Sequence, residues 1–289
     1  MRTRNAMQLK AQIRNKAKDV GTTPQLMMQN YLLERILERI SLSHWRDNVV
    51  IKGGVLISSL VGVDKRSTYD LGATVQGFPL THENAEKAFR EIIAVDADDD
   101  FSFEFVRTED IRETDDYPGI RVHLLAKYEK ISSPLTVDVT TGDRITPEAI
   151  EFSYPLMFDD RSVSLMAYPL ATILAEKLET VISRDVINTR PRDYYDLHTL
   201  WTVRQTEVEP DVLREALGAT AGKRGTIADM GKYHEVMERV SEDETMLARW
   251  SAYARRYPYV GNLTLQKTCE TVTGIMAYIG WKSNSQMRH

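Results

Sequence analysis

From about Leu9 to Leu42 the apolar positions recur at helical spacing. Within Gln29–Leu42, residues Leu32, Leu33, Ile36, Leu37 and Ile40 form one stripe at three- and four-residue intervals. The short β-branched run Val49-Val50-Ile51 predicts a strand that stops at Gly53-Gly54, and Val55 to Leu60 then reads as a buried helix. Tyr69 to Val75 predicts a second strand, closed by Gly77 and Pro79. Thr81 to Val95 is an amphipathic helix with Ala85, Ala88, Phe89, Ile92 and Ile93 on one face. Phe101–Val106 and Ile120–Tyr128 alternate apolar with polar, as half-buried strands do, and Leu135–Thr141 is a third such run, ended by Gly142-Asp143. Beyond about Leu165 only helical periodicity remains, in Leu170–Ile182, Asp193–Thr202, Asp211–Leu217, Tyr233–Val240, Glu244–Arg255 and Leu265–Ile279. The pattern predicts an α+β N-terminal domain over 1–165, with a helical lead-in over 1–45, followed by an all-helical domain over 166–289.

Composition narrows the setting. The chain of 289 residues carries 37 Lys and Arg against 42 Asp and Glu, a formal charge of -5, so bulk binding of polyanions is not its mode, although a local basic groove is compatible with that average. One cysteine, Cys269, makes no internal disulfide, which fits a reducing cytoplasm. The polar start Met1-Arg-Thr-Arg-Asn lacks an apolar segment behind its arginines, so no signal peptide is expected. No run of about 18 apolar residues predicts a membrane span.

Several motifs fail on inspection. Asp96-Ala-Asp-Asp-Asp-Phe imitates a calcium loop, but its sixth position is Phe101 and its twelfth Arg107; the run reads as a solvated acidic turn. In Gly222-Lys223-Arg224-Gly225-Thr226 the lysine is not followed by Ser or Thr, so this is no phosphate loop. The six histidines form no His-x-x-x-His pair. Arg255-Arg256-Tyr257-Pro258-Tyr259 mixes bases with aromatics, a combination that suits RNA but also suits a helix end.

Three pieces remain that carry chemistry together. Lys52-Gly53-Gly54 lies between a strand and a helix, where glycines let a ligand approach the backbone and the helix start favours an anion, though such turns are often purely structural. Arg66-Ser67-Thr68-Tyr69-Asp70-Leu71-Gly72 opens a strand whose residues 70 and 72 share a face. Asp138 stands in mid-strand between Val137 and Val139, a costly position for a carboxylate unless it is paired or bound to a cation. If the two strands are neighbours, Asp70 and Asp138 can hold a divalent ion through oxygen.

This order resembles the polymerase-β-like nucleotidyltransferase superfamily, and more closely the AbiEii family of bacterial abortive-infection and toxin–antitoxin nucleotidyltransferases. The resemblance rests on Tyr31-Leu-Leu-Glu-Arg-Ile-Leu, Val50-Ile-Lys-Gly-Gly-Val-Leu, Arg66-Ser-Thr-Tyr-Asp-Leu, Val137-Asp-Val-Thr-Thr-Gly-Asp-Arg-Ile-Thr-Pro, Ala175-Glu-Lys-Leu-Glu-Thr and Arg192-Asp-Tyr-Tyr-Asp-Leu, which follow family order over about residues 25–200. It implies a nucleotidyltransferase fold with a mixed sheet, and transfer of a nucleoside monophosphate from an NTP to an acceptor with release of pyrophosphate. It further implies Asp70 and Asp138 as ligands of Mg²⁺ or Mn²⁺, with Lys52, Gly53, Gly54, Arg66 and Ser67 around the nucleotide. Lys177 would be the motif lysine meeting phosphate, Asp193 a catalytic acid, and Arg192 and Asp196 its neighbours, with the site in a cleft between the domains. The bland readings are an exposed Glu176–Lys177 pair and an i,i+4 bridge from Arg192 to Asp196. A cognate antitoxin, a tRNA 3′ end as acceptor and a part in phage defence are family expectations; Arg184, Arg190, Arg192, Lys223 and Arg224 are the bases available for RNA.

One departure matters. Where the family carries the second Asp of its Asp-x-Asp pair, this chain has Gly72, which offers no side-chain oxygen and removes a negative charge. The expectation is a toxin-type transferase with impaired catalysis. An inactivated variant, selected or made because the active toxin poisons its host, a natural member that binds nucleotide or antitoxin without catalysis, and rescue of the site by Asp143 are the explanations of Gly72; a protein-AMPylating transferase is the rival enzyme reading.

Overall fold

The computed structural model describes residues 2–66, 68, 70–111 and 119–282. The chain forms two compact units, Met1–Asp143 with Ala149–Tyr168, and Arg144–Glu148 with Pro169–His289.

The first unit begins with α1 (Ala6–Asp19) and α2 (Pro24–Leu42). The single helical stretch expected from Leu9 to Leu42 is broken here because Gly21 takes a left-handed φ of 68° and Thr23 caps the next helix, its hydroxyl accepting from the Leu26 N–H. β1 (Val49–Lys52) runs directly into α3 (Gly53–Val61), and β2 (Leu71–Val75) and α4 (His82–Ala94) follow. β3 (Ser102–Asp110), β4 (Gly119–Tyr128), β5 (Ile131–Thr141), β6 (Ile150–Pro155) and β7 (Ser162–Ala167) complete the unit. Among the described residues the strands form one mixed seven-stranded sheet of order β3-β4-β5-β2-β1-β7-β6. β2 is parallel to β5 and β1 to β7, while the other neighbours are antiparallel. Leu71, Ala73, Val75, Leu135, Val137 and Val139 point to one face and are buried there, which leaves the polar alternates 70, 72, 136, 138 and 140 on the other.

β6 and β7 were not anticipated. β6 is a mostly exposed edge strand that ends in Pro155, so its pattern is faint. β7 does alternate, with Val163, Leu165 and Ala167 buried, but it is only six residues long and falls where the composition changes.

The acidic run 96–100 corrects another expectation. Asp99 is fully buried and grips Arg39 of α2 through two hydrogen bonds of 2.6 and 3.0 Å, and Asp100 accepts from the amide and hydroxyl of Thr3. Asp96 and Asp98 are exposed, as in a solvated turn, whereas Asp99 and Asp100 form a clasp that ties the N-terminal segment to the sheet. α2 carries more buried charge still, with Arg35 about 1% exposed between Glu34 and Glu38.

The second unit is helical: α5 (Leu170–Arg184), α6 (Pro191–Arg204), α7 (Pro210–Lys223), α8 (Ile227–Met230), α9 (Tyr233–Glu242), α10 (Glu244–Arg256) and α11 (Leu265–Tyr278). α5 packs on α6, α7 and α8, and α11 on α6 and α9. Among the described residues no helix is long and apolar enough to cross a membrane.

Candidate functional site

The polar face of the sheet carries a continuous row of chemistry. Lys52 of β1 stands opposite Gly72 of β2, Gly72 opposite Asp138 of β5, and Asp138 opposite Arg121 of β4. Laterally paired residues present their side chains to the same face, so the row reads Lys–Gly–Asp–Arg across four strands. Asp70, just before β2, is exposed and accepts a 3.1 Å hydrogen bond from the Thr136 hydroxyl of β5. The sheet thus brings Lys52, Asp70, Gly72 and Asp138 to one face of the first unit. Ser67 lies outside the described residues.

The glycine turn at the head of α3 has two separate causes. Gly53 adopts φ +69°, which disfavours any side chain. Gly54 is excluded from carrying one by contact, since a Cβ there would stand 2.4 Å from the Thr68 hydroxyl. Buried Arg66 reaches the same spot, its Nη2 3.5 Å from that Cβ position. Asn30 of α2 donates to the Thr68 carbonyl at 3.2 Å and so anchors this loop from the core. Lys52 occupies the N-cap position of α3 with no side-chain cap bond, and the positive end of the helix opens beside it.

Asp138 and Asp143 each have a resident cation. Arg121 clasps Asp138 with Nε at 2.7 Å and Nη2 at 2.8 Å, and this paired hydrogen bonding raises the Arg121 pKa above its ordinary value. Lys52 donates to the Thr140 hydroxyl at 2.7 Å and to Asp143 at 2.6 Å, with the Tyr168 ring centroid 5.6 Å away. Asp143 also accepts from Thr140 at 2.7 Å and Tyr168 at 2.8 Å. Burial alone would raise the Asp143 carboxyl, but the Lys52 charge and these hydrogen bonds more than offset it and hold the group at about 2. Asp143 is thus held by Lys52, Thr140 and Tyr168.

Two metals sharing a ligand do not fit this donor set. Gly72 supplies no oxygen, both Asp138 oxygens are on Arg121, and among the described residues no group of three or more His, Cys, Asp or Glu is placed to hold an ion.

The remaining predicted residues form a cluster of their own in the second unit. Lys177 of α5 donates to Asp193 at 2.7 Å and lies 2.8 Å from Asp196, both on α6. Burial alone would lower the Lys177 pKa; the two aspartates override it and raise it. The exposed Glu176–Lys177 pair is thus replaced by a buried one, and Asp196 turns to Lys177 instead of bridging to Arg192, which is exposed. Arg224 is drawn to Glu179 of α5, as is the Thr226 hydroxyl at 3.0 Å.

Arg121, Thr140 and Tyr168 were not anticipated. Arg121 sits on the polar face of a strand that the alternation does reveal, but only strand order and register show that it meets Asp138.

The model of the family described as nucleotidyl transferase AbiEii toxin, Type IV TA system, matches residues 35–272. The crystal structure of JHP933 from Helicobacter pylori is similar in fold, with a TM-score of 0.52 at 13% identity, over 92% of this chain and 96% of that one. A second H. pylori structure, titled as a candidate nucleotidyltransferase, aligns at a TM-score of 0.48 and 14% identity over 92% of this chain and 98% of that chain. No curated protein matches.

Proposed function

The chain belongs to the AbiEii family of nucleotidyltransferase toxins, and we propose that it is built to transfer a nucleoside monophosphate from an NTP to an RNA acceptor, a tRNA 3′ end being the family expectation, with the transfer step impaired by Gly72. In that reaction the acceptor hydroxyl oxygen bonds to the α-phosphorus, the bond to the bridging oxygen breaks, and pyrophosphate leaves. The hydroxyl proton passes to a carboxylate on this face, for which exposed Asp70 is the candidate. The observation that carries the reading is the row itself: Gly72 lies between Lys52 and Asp138, beside a glycine turn that opens a helix. An aspartate at 72 would put a second strand carboxylate next to Asp138, the geometry a divalent ion needs. Without it, transfer is expected to be slow, because positioning and charge neutralisation supply most of the catalysis in phosphoryl chemistry.

Membership of a type IV toxin–antitoxin family implies an antitoxin partner, and a role in abortive infection of phage-infected bacteria is part of the same proposal. The non-catalytic reading, in which the chain binds nucleotide without transferring it, has support from the closure of Asp138 by Arg121.

The test uses the Gly72→Asp chain, incubated with Mg²⁺ or Mn²⁺, each of four α-labelled NTPs, and total bacterial RNA. Labelled RNA is the expected result, and the NTP that gives it is the donor. Label in protein would replace the RNA acceptor by a protein hydroxyl. No label in either, with nucleotide bound, would leave the non-catalytic reading.

A further inference from the structure

The disagreement between the donor set and a two-metal site has a positive side. We propose that Lys52 and Arg121 form a metal-independent seat for the polyphosphate of a nucleoside triphosphate, with Arg121 a nucleotide-binding residue that the family motifs do not include. This rests on the reading that the chain binds a nucleotide on this face.

The donors are available. An arginine has five N–H groups, and Arg121 directs one from Nε and one from Nη2 to Asp138, which leaves three on a side chain that is 37% exposed. Lys52 has three and spends two, on Thr140 and Asp143. Both therefore add a phosphate contact without giving up the partner that fixes them. The Asp138 clasp and the Asp143 clasp act as orienting struts, and both are short and charge-assisted. The uncapped start of α3 lies next to Lys52 on the same side of Gly72.

The charges agree. Around the row Lys52, Arg66 and Arg121 stand against Asp70, Asp138 and Asp143, and Glu109 of β3, opposite Arg121, is bridged to Arg107 and His123. An aspartate at 72 would make the face anionic, and a triphosphate of about four negative charges would then need a divalent ion to approach. Glycine removes that need. It also leaves no side chain at 72, and the Lys52 side chain crosses that position to reach Thr140 and Asp143, its Cγ 3.6 Å from where a Cβ would be. A triphosphate over this face meets the Arg121 fork and the Lys52 ammonium, held at Asp138 and at Thr140 and Asp143 along β5 and its end.

The two models differ in sign at Asp138. If a metal holds the triphosphate, removing Asp138 removes a ligand and weakens binding. If Arg121 and Lys52 hold it, removing Asp138 deletes a repelling charge and frees two more donors.

The experiment measures binding of the four NTPs and of inorganic tripolyphosphate to the full chain, in EDTA and in excess Mg²⁺. The expected result is binding in EDTA at least as tight as in Mg²⁺. Asp138→Asn should tighten it by about twofold to fivefold, roughly the net interaction of one exposed charge pair. Arg121→Gln should weaken it by about tenfold or more. Arg121→Lys, which keeps the pairing to Asp138 and so guards against misfolding, should weaken it less. Binding that appears only with Mg²⁺ and vanishes in Asp138→Asn would overturn the metal-independent seat while leaving nucleotide binding intact. No binding of any NTP in either condition would overturn the nucleotide reading itself, and this inference with it.

Discussion

A Cβ placed on Gly72 would lie 3.3 Å from the Lys52 carbonyl oxygen, a close contact that requires the backbone there to give by a few tenths of an ångström. No positive φ demands glycine at 72, as one does at Gly53. Beside it, Asp143 shapes the acid response of the fold. Its carboxyl sits at about 2, against an ordinary value near 3.8, so its contribution to stability is complete above pH 4 and is lost as pH falls toward 2. That contribution is roughly 2 kcal/mol. Denaturant unfolding of the wild-type chain and of Asp143→Asn, repeated across this window, should show a steep loss for the first and a flatter line for the second. Equal slopes would mean that the Lys52, Thr140 and Tyr168 contacts do not stabilise the ionised carboxylate.

At the level of elements, α5 and α6 are joined by Lys177 with Asp193 and Asp196. Removing the lysine leaves two carboxylates facing one another with Asp196 buried, a change that typically costs about 3–5 kcal/mol. Lys177→Ala should therefore lower the melting temperature of the chain by many degrees. An unchanged melting temperature would show that the triad is not structural and that Lys177 is held for chemistry alone. In α11, Cys269 is buried and its thiol is pushed up to about 12 by that burial. A thiol-specific reagent at neutral pH should leave the native chain unlabelled and react once denaturant unfolds it; rapid native labelling would contradict the packing of α11 on α6 and α9. These helices were largely readable from apolar spacing because a helix buries one stripe of its own sequence. Strands were readable where the two faces differ over a long run, as in β4 and β5, or where a β-branched run is buried, as in β1, whereas edge strand β6 shows neither pattern. The buried Asp99–Arg39 clasp shows the limit of composition, because an acidic run looks solvated until its partner, sixty residues earlier, is known.

For the whole molecule, chain order was enough to assemble Lys52, Asp70, Gly72 and Asp138, since family motifs preserve order. It was not enough to find Arg121 or Tyr168, whose meaning depends on which strands lie side by side. The AbiEii family supplies the class of reaction, a nucleotidyltransferase toxin with an antitoxin. Within that class the row on the sheet makes this chain a specific case: the turn and the flanking cations are present, and the acid at position 72 is not. The most direct test is the initial rate of pyrophosphate release, with RNA and Mg²⁺ present, from the chain with Gly72 and from Gly72→Asp. The account predicts a rate at least about a hundredfold higher for Gly72→Asp, the scale on which loss of one preorganised electrostatic group acts. Equal rates in the two chains would contradict it, because the residue at 72 would then have no part in transfer.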